Sequence, residues 1–390
     1  MTTSEPQDQI IVETPECPPS LEDVEPLAVL GEEPAGEKEE ERLHMRLLEV
    51  KDLQTRFKTD GGTVRAVDGI SYFVDEGEII AGERRAPILE LELELKSGRI
   101  DALYRLALEL AGKGPAALAL RPAVDSKAVR GYRLATQESP TPQKANAAAV
   151  TASLAADASV QAALRQLVGR GATLLLANAA GSQEVADPEF VHQARVAVRR
   201  MRSAARALGR DAGWPASLDD ELRWIARLLG AVRDWDVLQA HTAPALLAAL
   251  PATAPLVERA AERRLRDDAA LRAALGGARY ARLALRLLRW ANSAADQGIT
   301  LGSAAPARLA RMHRRLFDAA AFFVALPVRR QHRVRILAKR LRYALDLFAS
   351  TLPEKRPRRF VERLAHLQHE LGALNSTLVA SGPLRRLRRT

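Results

Sequence analysis

The chain has 390 residues, 47% of them hydrophobic and 4% aromatic, and a formal net charge of +10 at pH 7. That length allows two or three domains, each with its own core, and a composition rich in Ala, Leu and Arg favours helices over sheets. The single cysteine, Cys17, excludes a disulfide framework and a cysteine-ligated metal cluster. No run approaches the roughly 18 apolar residues of a membrane span, and the N-terminus lacks a signal-peptide pattern. We therefore expect a soluble, cytoplasmic protein.

The charge is unevenly distributed along the chain. Residues 161–390 contain 40 Lys and Arg against 19 Asp and Glu, a net of +21, and only two of the 40 are Lys. The first 160 residues contain 18 against 29, a net of −11. The basic part therefore needs an anionic partner or an acidic neighbour, and its arginines suit bidentate recognition of phosphate or carboxylate.

Residues 1–45 are rich in Pro and Glu, include the mostly acidic run Glu37–Glu41, and show no sustained period. They are predicted to form a disordered acidic tail. In residues 46–86, alternating apolar residues on either side of Asp60-Gly61-Gly62 predict two or three short strands joined by that turn.

The sequence of Thr63–Glu78 resembles the start of ABC-transporter ATPases of the oligopeptide type. In that family a phosphate-binding loop follows the strand after Gly77-Glu78. No G-x-x-x-x-G-K-[ST] occurs in this chain, so the backbone cradle and the lysine for nucleotide phosphates are missing. We interpret residues 46–86 as a truncated ATPase-like β segment.

Residues 87–136 begin with a strictly alternating strand, which places leucines on one face and Glu90, Glu92, Glu94 and Lys96 on the other. The acidic face is either solvated surface or a row of carboxylates for Mg²⁺ or Mn²⁺, which would neutralise bound phosphates. An amphipathic helix from Ile100 to Gly112 and a short strand at Ala116–Arg121 are predicted to follow.

Together, the Glu90–Gly98 strand, the Leu103–Leu110 helix and Ser126–Leu134 resemble the second half of a CYTH domain, a family that hydrolyses inorganic triphosphate. The resemblance implies that the glutamates and Lys96 line a tunnel and that Lys127 and Arg130 face phosphate. The family's first half, with its own Glu-x-Glu-x-Lys strand, is absent here. Half a barrel leaves open edges and an incomplete metal site.

Residues 137–152, rich in Pro, Thr, Ala and Ser, are predicted to form a linker. From 153 to 390 the pattern is helical, with breaks at Gly209–Pro215 and Ser293–Pro306. The predicted fold class is therefore mainly α: a duplicated antiparallel helical bundle, preceded by a small partial α+β segment and a disordered tail.

Two helices in this part share one pattern, in which His, Arg, Arg or Lys, Arg and Arg recur at offsets 0, 3, 7, 8 and 10. In each helix most of these cations share one face, and the opposite face is apolar. The first copy comprises His192, Arg195, Arg199, Arg200 and Arg202, and the second comprises His332, Arg335, Lys339, Arg340 and Arg342.

The repeat extends beyond the basic helices, because Leu229–Asp234 aligns with Leu371–Ser376 at an offset of 142. Two further helices, Leu256–Leu275 and Ala278–Asn292, lie between the halves. Helices of this length with short connections pack as antiparallel bundles. Two equivalent bundles would bring the basic faces together around one groove.

These motifs, with Gly230-x-x-Arg233-Asp234-x-Asp236 and His332–Tyr343, resemble a CHAD domain, the conserved histidine α-helical domain that CYTH domains commonly precede. The resemblance implies a non-enzymatic module that binds inorganic polyphosphate and localises to polyphosphate granules in the cytoplasm. It implies phosphate contacts at the ten repeated His, Arg and Lys positions, with Tyr343 in addition. The chain stops at Thr390, where the resemblance leads us to expect a further helix.

Polyphosphate binding without catalysis and without a cofactor is thus the predicted function. Nucleic acid is an alternative polyanion, although the basic faces contain almost no aromatic residue for stacking on bases. Metal-dependent triphosphate hydrolysis at Glu90–Lys96 is a second alternative. Pairing of every arginine with a neighbouring acid is a third, but the excess of 21 cations in residues 161–390 leaves many without an acid in that segment.

Overall fold

The computed structural model describes residues 44–59, 62–112, 118–145, 154–294, 298–352, 359–368 and 370, with the backbone alone at 44–50, 52–59, 62–70, 72 and 73. Most of the predicted tail, the second glycine helix at Leu371–Ser376 and the C-terminal end lie outside this description. The chain divides into two compact units, Met1–Ala107 with Asp125–Glu138, and Leu108–Val124 with Ser139–Thr390.

The first unit contains a three-stranded antiparallel sheet in the order β1-β2-β3. Its strands are β1 (His44–Thr59), β2 (Gly62–Ala81) and β3 (Arg84–Leu95). They are longer than the short strands predicted. The pairing of β2 with β3 runs from Ala81↔Arg84 to Ile70↔Leu95. The ATPase-like and CYTH-like sequences therefore share one sheet, and β3 crosses the predicted boundary between them.

Two helices follow the sheet, α1 (Asp101–Leu110) and α2 (Lys127–Thr136). The first confirms the helix predicted from Ile100, and its Ala102 and Leu103 are buried beside the ends of β3. The second packs against β2 and β3. The strand predicted at Ala116–Arg121 is wrong in its described part, since residues 118–121 adopt neither helix nor strand.

The second unit is helical, as predicted, and no helix among the described residues is both long and apolar enough to cross a bilayer. One π-helical turn, Leu238–Thr242, and 3₁₀ turns at Pro251–Thr253, Phe323–Ala325 and Ala349–Thr351 join its helices. Residues 359–368 are also helical. The main helices are α3 (Val160–Glu184), α4 (Pro188–Leu208), α5 (Ala216–Val237), α6 (Ala243–Ala249), α7 (Ala254–Gly276), α8 (Ala278–Asn292), α9 (Leu301–Ala320) and α10 (Val328–Leu347).

Helix α9 begins at Leu301, inside the break predicted at Ser293–Pro306, so that break ends earlier than predicted. Thr300 caps the helix, because its Oγ1 accepts a hydrogen bond from the backbone N–H of Ser303. Pro306 therefore lies inside the helix rather than before it.

Two apolar clusters hold the helices together. The larger joins α3, α4, α5 and α8, and the smaller joins α9, α10 and residue 364 of the last described helix. Helix α10 contributes to both, with Ala344 and Leu347 in the first and Val334, Ala338 and Leu341 in the second. The second basic helix, α10, is thereby packed into the same apolar cluster as the first basic helix, α4.

The described part of the predicted linker packs onto the helices. The side chain of Asn178, fully buried in α3, accepts a hydrogen bond from Gln143 N at 3.0 Å and donates one to Gln143 O at 2.9 Å. Ala145 is also buried, and its N–H donates to Gln193 of α4 at 2.8 Å. These backbone groups have found partners in the helical unit, so residues 143–145 belong to its structure.

Candidate functional site

The apolar faces of α4 and α10 determine where their basic faces point. Asp187 and Pro188 start α4, since the Asp187 side chain accepts a hydrogen bond from Glu189 N at 2.8 Å. The predicted apolar back of α4 is buried throughout, at Ala194, Ala197, Val198, Met201, Ala204, Ala205 and Leu208. The back of the second basic helix is buried at Val334, Leu341, Ala344, Leu345 and Phe348.

Helix α10 packs directly against α4, and this contact brings cations of the two helices together. Burial lowers the pKa of Lys339 to about 8, with further lowering by Arg335, Arg199, Arg342 and Arg195. Four of these five residues, all but Arg195, form no ion pair with a described carboxylate, although the charge of Arg342 acts on Asp346. We call the following six residues the basic cluster: Arg195, Arg199, Arg200, Arg335, Lys339 and Arg342.

The ring of Tyr343 is close to one arginine of each helix. The Cζ atoms of Arg199 and Arg342 are 5.6 Å and 5.5 Å from the ring centroid, which are cation–π distances. Burial lowers the pKa of Arg200, while Tyr343 and Asp346 favour its charge. Burial raises the pKa of Asp346, against the effect of Arg342 and Arg200. Asp346 is therefore the only described carboxylate that favours the charge of Arg200, and its own pKa is raised.

The guanidiniums of the basic cluster are incompletely hydrogen-bonded. The Nε atoms of Arg200, Arg335 and Arg342 are buried and have no hydrogen-bond partner among the described residues. Buried polar groups in folded proteins normally have such partners. The cluster is thus short of acceptors as well as of negative charge.

A glycine of α5 makes room for Arg195. The Nη1 atom of Arg195 donates to the carbonyl of Ala226 at 3.3 Å, and a Cβ atom on Gly230 would lie 2.5 Å from that same nitrogen. Burial lowers the pKa of Arg195, while Asp234 favours its charge. The sequence showed Gly230 as part of a repeated motif but assigned it no role, because its function depends on a contact between two helices.

The two repeated histidines have different surroundings. Nδ1 of His192 is buried without a hydrogen-bond partner among the described residues. Burial lowers the pKa of His192, and the nearby charge of Arg233 lowers it further. His332, at the equivalent position of α10, is exposed. Only His192 therefore lies in a partly enclosed, positively charged environment, and Arg233 is a cation near it that the prediction did not include.

Two predicted phosphate contacts have other neighbours. Arg202 forms an ion pair with Asp219 of α5, with 3.3 Å between Nε and Oδ1. Arg340 is exposed and lies near Arg206, whose pKa is lowered first by burial and then by Arg202 and Arg340. These residues form a second basic region in which an acid compensates part of the charge.

In the first unit, Lys127 of α2 lies over the acidic face of the sheet. Its Nζ donates to Glu92 at 2.5 Å and to Asp75 at 3.0 Å. Burial opposes the charge of Lys127, but the hydrogen bonds to Glu92 and Asp75 outweigh that effect and raise its pKa. The lysine predicted to face phosphate is thus held by carboxylates of its own unit.

The other two predicted metal ligands also have cationic partners. Glu90 pairs with Arg130, and Glu94 pairs with Lys96 at 2.6 Å. Among the described residues no three His, Cys, Asp or Glu side chains are grouped so that they could hold a metal ion. The arrangement of Glu90, Glu92 and Glu94 therefore does not fit the predicted Mg²⁺ or Mn²⁺ site, because each carboxylate faces a lysine or an arginine.

A family model of the CHAD domain matches residues 172–385, more than half of the chain. The chain belongs to the CHAD domain family. This match confirms the resemblance predicted from the basic helices, and it covers every residue of the basic cluster.

A solved CHAD domain has a similar fold. The crystal structure of the CHAD domain from the plant Ricinus communis is 33% identical to this chain, with a TM-score of 0.53. The similarity covers 64% of this chain and 84% of that one. It confirms the mainly α fold predicted from the sequence.

A short second likeness concerns a different protein class. The oligopeptide transport ATP-binding protein OppD of Bacillus subtilis is 56% identical over 36 residues, which are 9% of this chain. The match spans only 10% of the length of OppD. It confirms the short resemblance to an oligopeptide-type ATPase and extends no further.

Proposed function

We propose that the second, helical unit, which contains the CHAD match and is called the CHAD unit below, binds inorganic polyphosphate without catalysis. The polymer would lie in a basic groove between α4 and α10. The observation that carries this proposal is the convergence of the basic cluster: four of its cations, Arg199, Arg335, Lys339 and Arg342, share no ion pair with a described carboxylate. Membership of the CHAD family supports the same ligand, since the family is linked to polyphosphate binding.

The charge pattern of the cluster matches a phosphate polymer. Polyphosphate carries about one negative charge per phosphate group. Cations aligned along it displace condensed counterions, as they do on other phosphate polymers. Guanidinium groups bind phosphate oxygens through paired hydrogen bonds. A bound polyanion would also favour the protonated form of Lys339, whose charge its neighbours now oppose.

Nucleic acid is the alternative occupant of this groove. Tyr343 is the one aromatic side chain found against the described basic cluster, and its ring is already within cation–π distance of Arg199 and Arg342. Bases would therefore find little free aromatic surface on which to stack. Polyphosphate has no bases, so the lack of free aromatic surface does not weaken its binding.

The test is a competition titration of the full chain with long-chain polyphosphate, duplex DNA and single-stranded RNA at near-physiological salt. It is repeated with a variant that neutralises four positions: Arg195→Gln, Arg199→Gln, Arg335→Gln and Lys339→Gln. We expect preference for polyphosphate in the native chain and a loss of at least a hundredfold in the variant, from several charge-assisted contacts of about 1.5–3 kcal/mol each.

A matched control removes the same number of charges from exposed arginines outside the cluster: Arg210→Gln, Arg259→Gln, Arg266→Gln and Arg311→Gln. This control should keep most of the affinity. Equal affinity for all three polymers, or equal losses in the two variants, would reduce the cluster to general basic surface. A protein that follows the proposal should also collect on polyphosphate granules in the cytoplasm.

A further inference from the structure

The connection between α9 and α10 presents apolar side chains to solvent. Phe322 is 87% exposed and Val324 is 94% exposed, and Phe317 and Val328 are about half exposed. We call these four residues the apolar tip. Single exposed apolar residues are ordinary, but four within twelve residues, at the same end of two packed helices, are a concentration typical of an interaction site.

The base of the tip is well packed. Leu316 of α9 and Val334 of α10 are buried in one apolar cluster directly beneath it. Gln331 donates from its side-chain nitrogen to the carbonyl of Phe323 at 3.3 Å. The structure thus holds the tip outward on two packed helices.

The backbone at Phe322 supports an interaction role. Its φ is +55°, in the left-handed region that bulky residues seldom adopt. Such conformations persist where the surrounding structure imposes them, and they concentrate at functional sites. Here the conformation places an aromatic side chain in solvent, where it contributes little to the stability of the fold.

Exposed arginines lie near the tip on both helices. Between residues 314 and 333 the sequence contains five arginines and one acid, Asp318. At 1.5 Å per residue all five lie within about 9 Å of the helix ends that carry the tip. The arginines, all exposed, are Arg314 and Arg315 on α9 and Arg329, Arg330 and Arg333 on α10.

We propose that the apolar tip docks on the surface of an anionic lipid bilayer. Phe322 and Val324 would enter the boundary between headgroups and acyl chains, and the nearby arginines would bind lipid phosphates, as basic and apolar residues do in interfacial segments. An anionic lipid bilayer matches both features, because its surface is negative like the ligands that arginines bind and its interior is apolar like the side chains of the tip. A soluble polyanion offers no apolar phase for Phe322, and exposed arginines on both helices match the continuous negative charge of a lipid surface.

The experiment is vesicle flotation of the full chain with phosphatidylcholine alone and with phosphatidylcholine plus phosphatidylglycerol. We expect binding only to the second kind. The double variant Phe322→Ser and Val324→Ser should weaken that binding on the order of tenfold, from the loss of two inserted apolar side chains. The matched control is Leu265→Ser, which removes an apolar side chain 65% exposed on α7 and should leave flotation unchanged.

Because the basic cluster is also positive, a second variant distinguishes the two surfaces. Arg199→Gln with Lys339→Gln should lose polyphosphate binding yet keep flotation. If this variant loses flotation and the tip variant keeps it, the vesicles bind at the basic cluster and the proposal is wrong. It is equally wrong if the tip variant has a lower melting temperature or a different molecular mass, because the tip then packs against this chain or a second copy.

Discussion

Lys339 is the member of the basic cluster whose charge can change near neutral pH. Its pKa in the folded chain is lowered to about 8 from 10.5, chiefly by burial and then by neighbouring cations. Between these two values the unfolded chain binds more protons than the folded one, so this residue makes stability rise as pH increases across that range. The proposed polyphosphate ligand would favour the protonated form of Lys339, so its affinity should have the opposite dependence on pH.

We therefore predict that polyphosphate affinity decreases about three- to tenfold between pH 7 and pH 9, as Lys339 loses its proton. Calorimetric titration at both pH values measures this change, and proton uptake shows as a binding heat that depends on the buffer.

Lys339→Arg is the control for that experiment, because a guanidinium stays charged throughout this range. It should bind polyphosphate with much less dependence on pH above 7. Titration of His192 acts in a separate range, since the pKa of His192 lies below its usual 6.5. An unchanged profile in Lys339→Arg would show that another group causes the pH dependence.

At the scale of elements, the contact between α4 and α5 decides the position of Arg195, one of the proposed phosphate contacts. A methyl group at Gly230 would meet the end of the Arg195 side chain, which can move, rather than backbone, which cannot. Gly230→Ala should therefore displace Arg195 and keep the fold. Alanine also favours the helix by about 1 kcal/mol.

We predict that Gly230→Ala weakens polyphosphate binding about tenfold, the typical effect of one lost charge-assisted contact, while the melting temperature is unchanged or higher. Gly276→Ala is the matched control, because nothing lies within 4 Å of its added Cβ. Retained affinity in Gly230→Ala would mean that Arg195 does not contact the ligand.

The comparison of elements also shows what the sequence could predict. Helical periodicity is a local property, so the buried backs and basic faces of α4 and α10 could be predicted from residue spacing alone. Partners distant in sequence could not. Glu90 meets Arg130 across 40 residues, and Arg202 meets Asp219 from another helix. Whether a cation is available for a ligand depends on such pairings, and these form only when the elements pack.

For the whole molecule, the excess of cations in the CHAD unit should make its stability depend on anions. Like charges within residues 161–390 repel one another in the folded state, and salt screens this repulsion. Sodium chloride alone should therefore raise the melting temperature of the free chain. Polyphosphate should raise the melting temperature further, because at a concentration one hundred times its dissociation constant it adds about 2.7 kcal/mol to the free energy of unfolding.

Salt and polyphosphate should then act against each other, because salt weakens binding to a phosphate polymer steeply. The stabilisation by a fixed amount of polyphosphate is expected to disappear as sodium chloride increases, although salt alone stabilises. In the fourfold basic-cluster variant, removal of partly buried charges should raise the melting temperature at low salt, and polyphosphate should add little. Thermal melting across a salt series measures all three effects. Equal stabilisation of the native chain and the variant by polyphosphate would show that the polymer acts on overall charge rather than at the basic cluster.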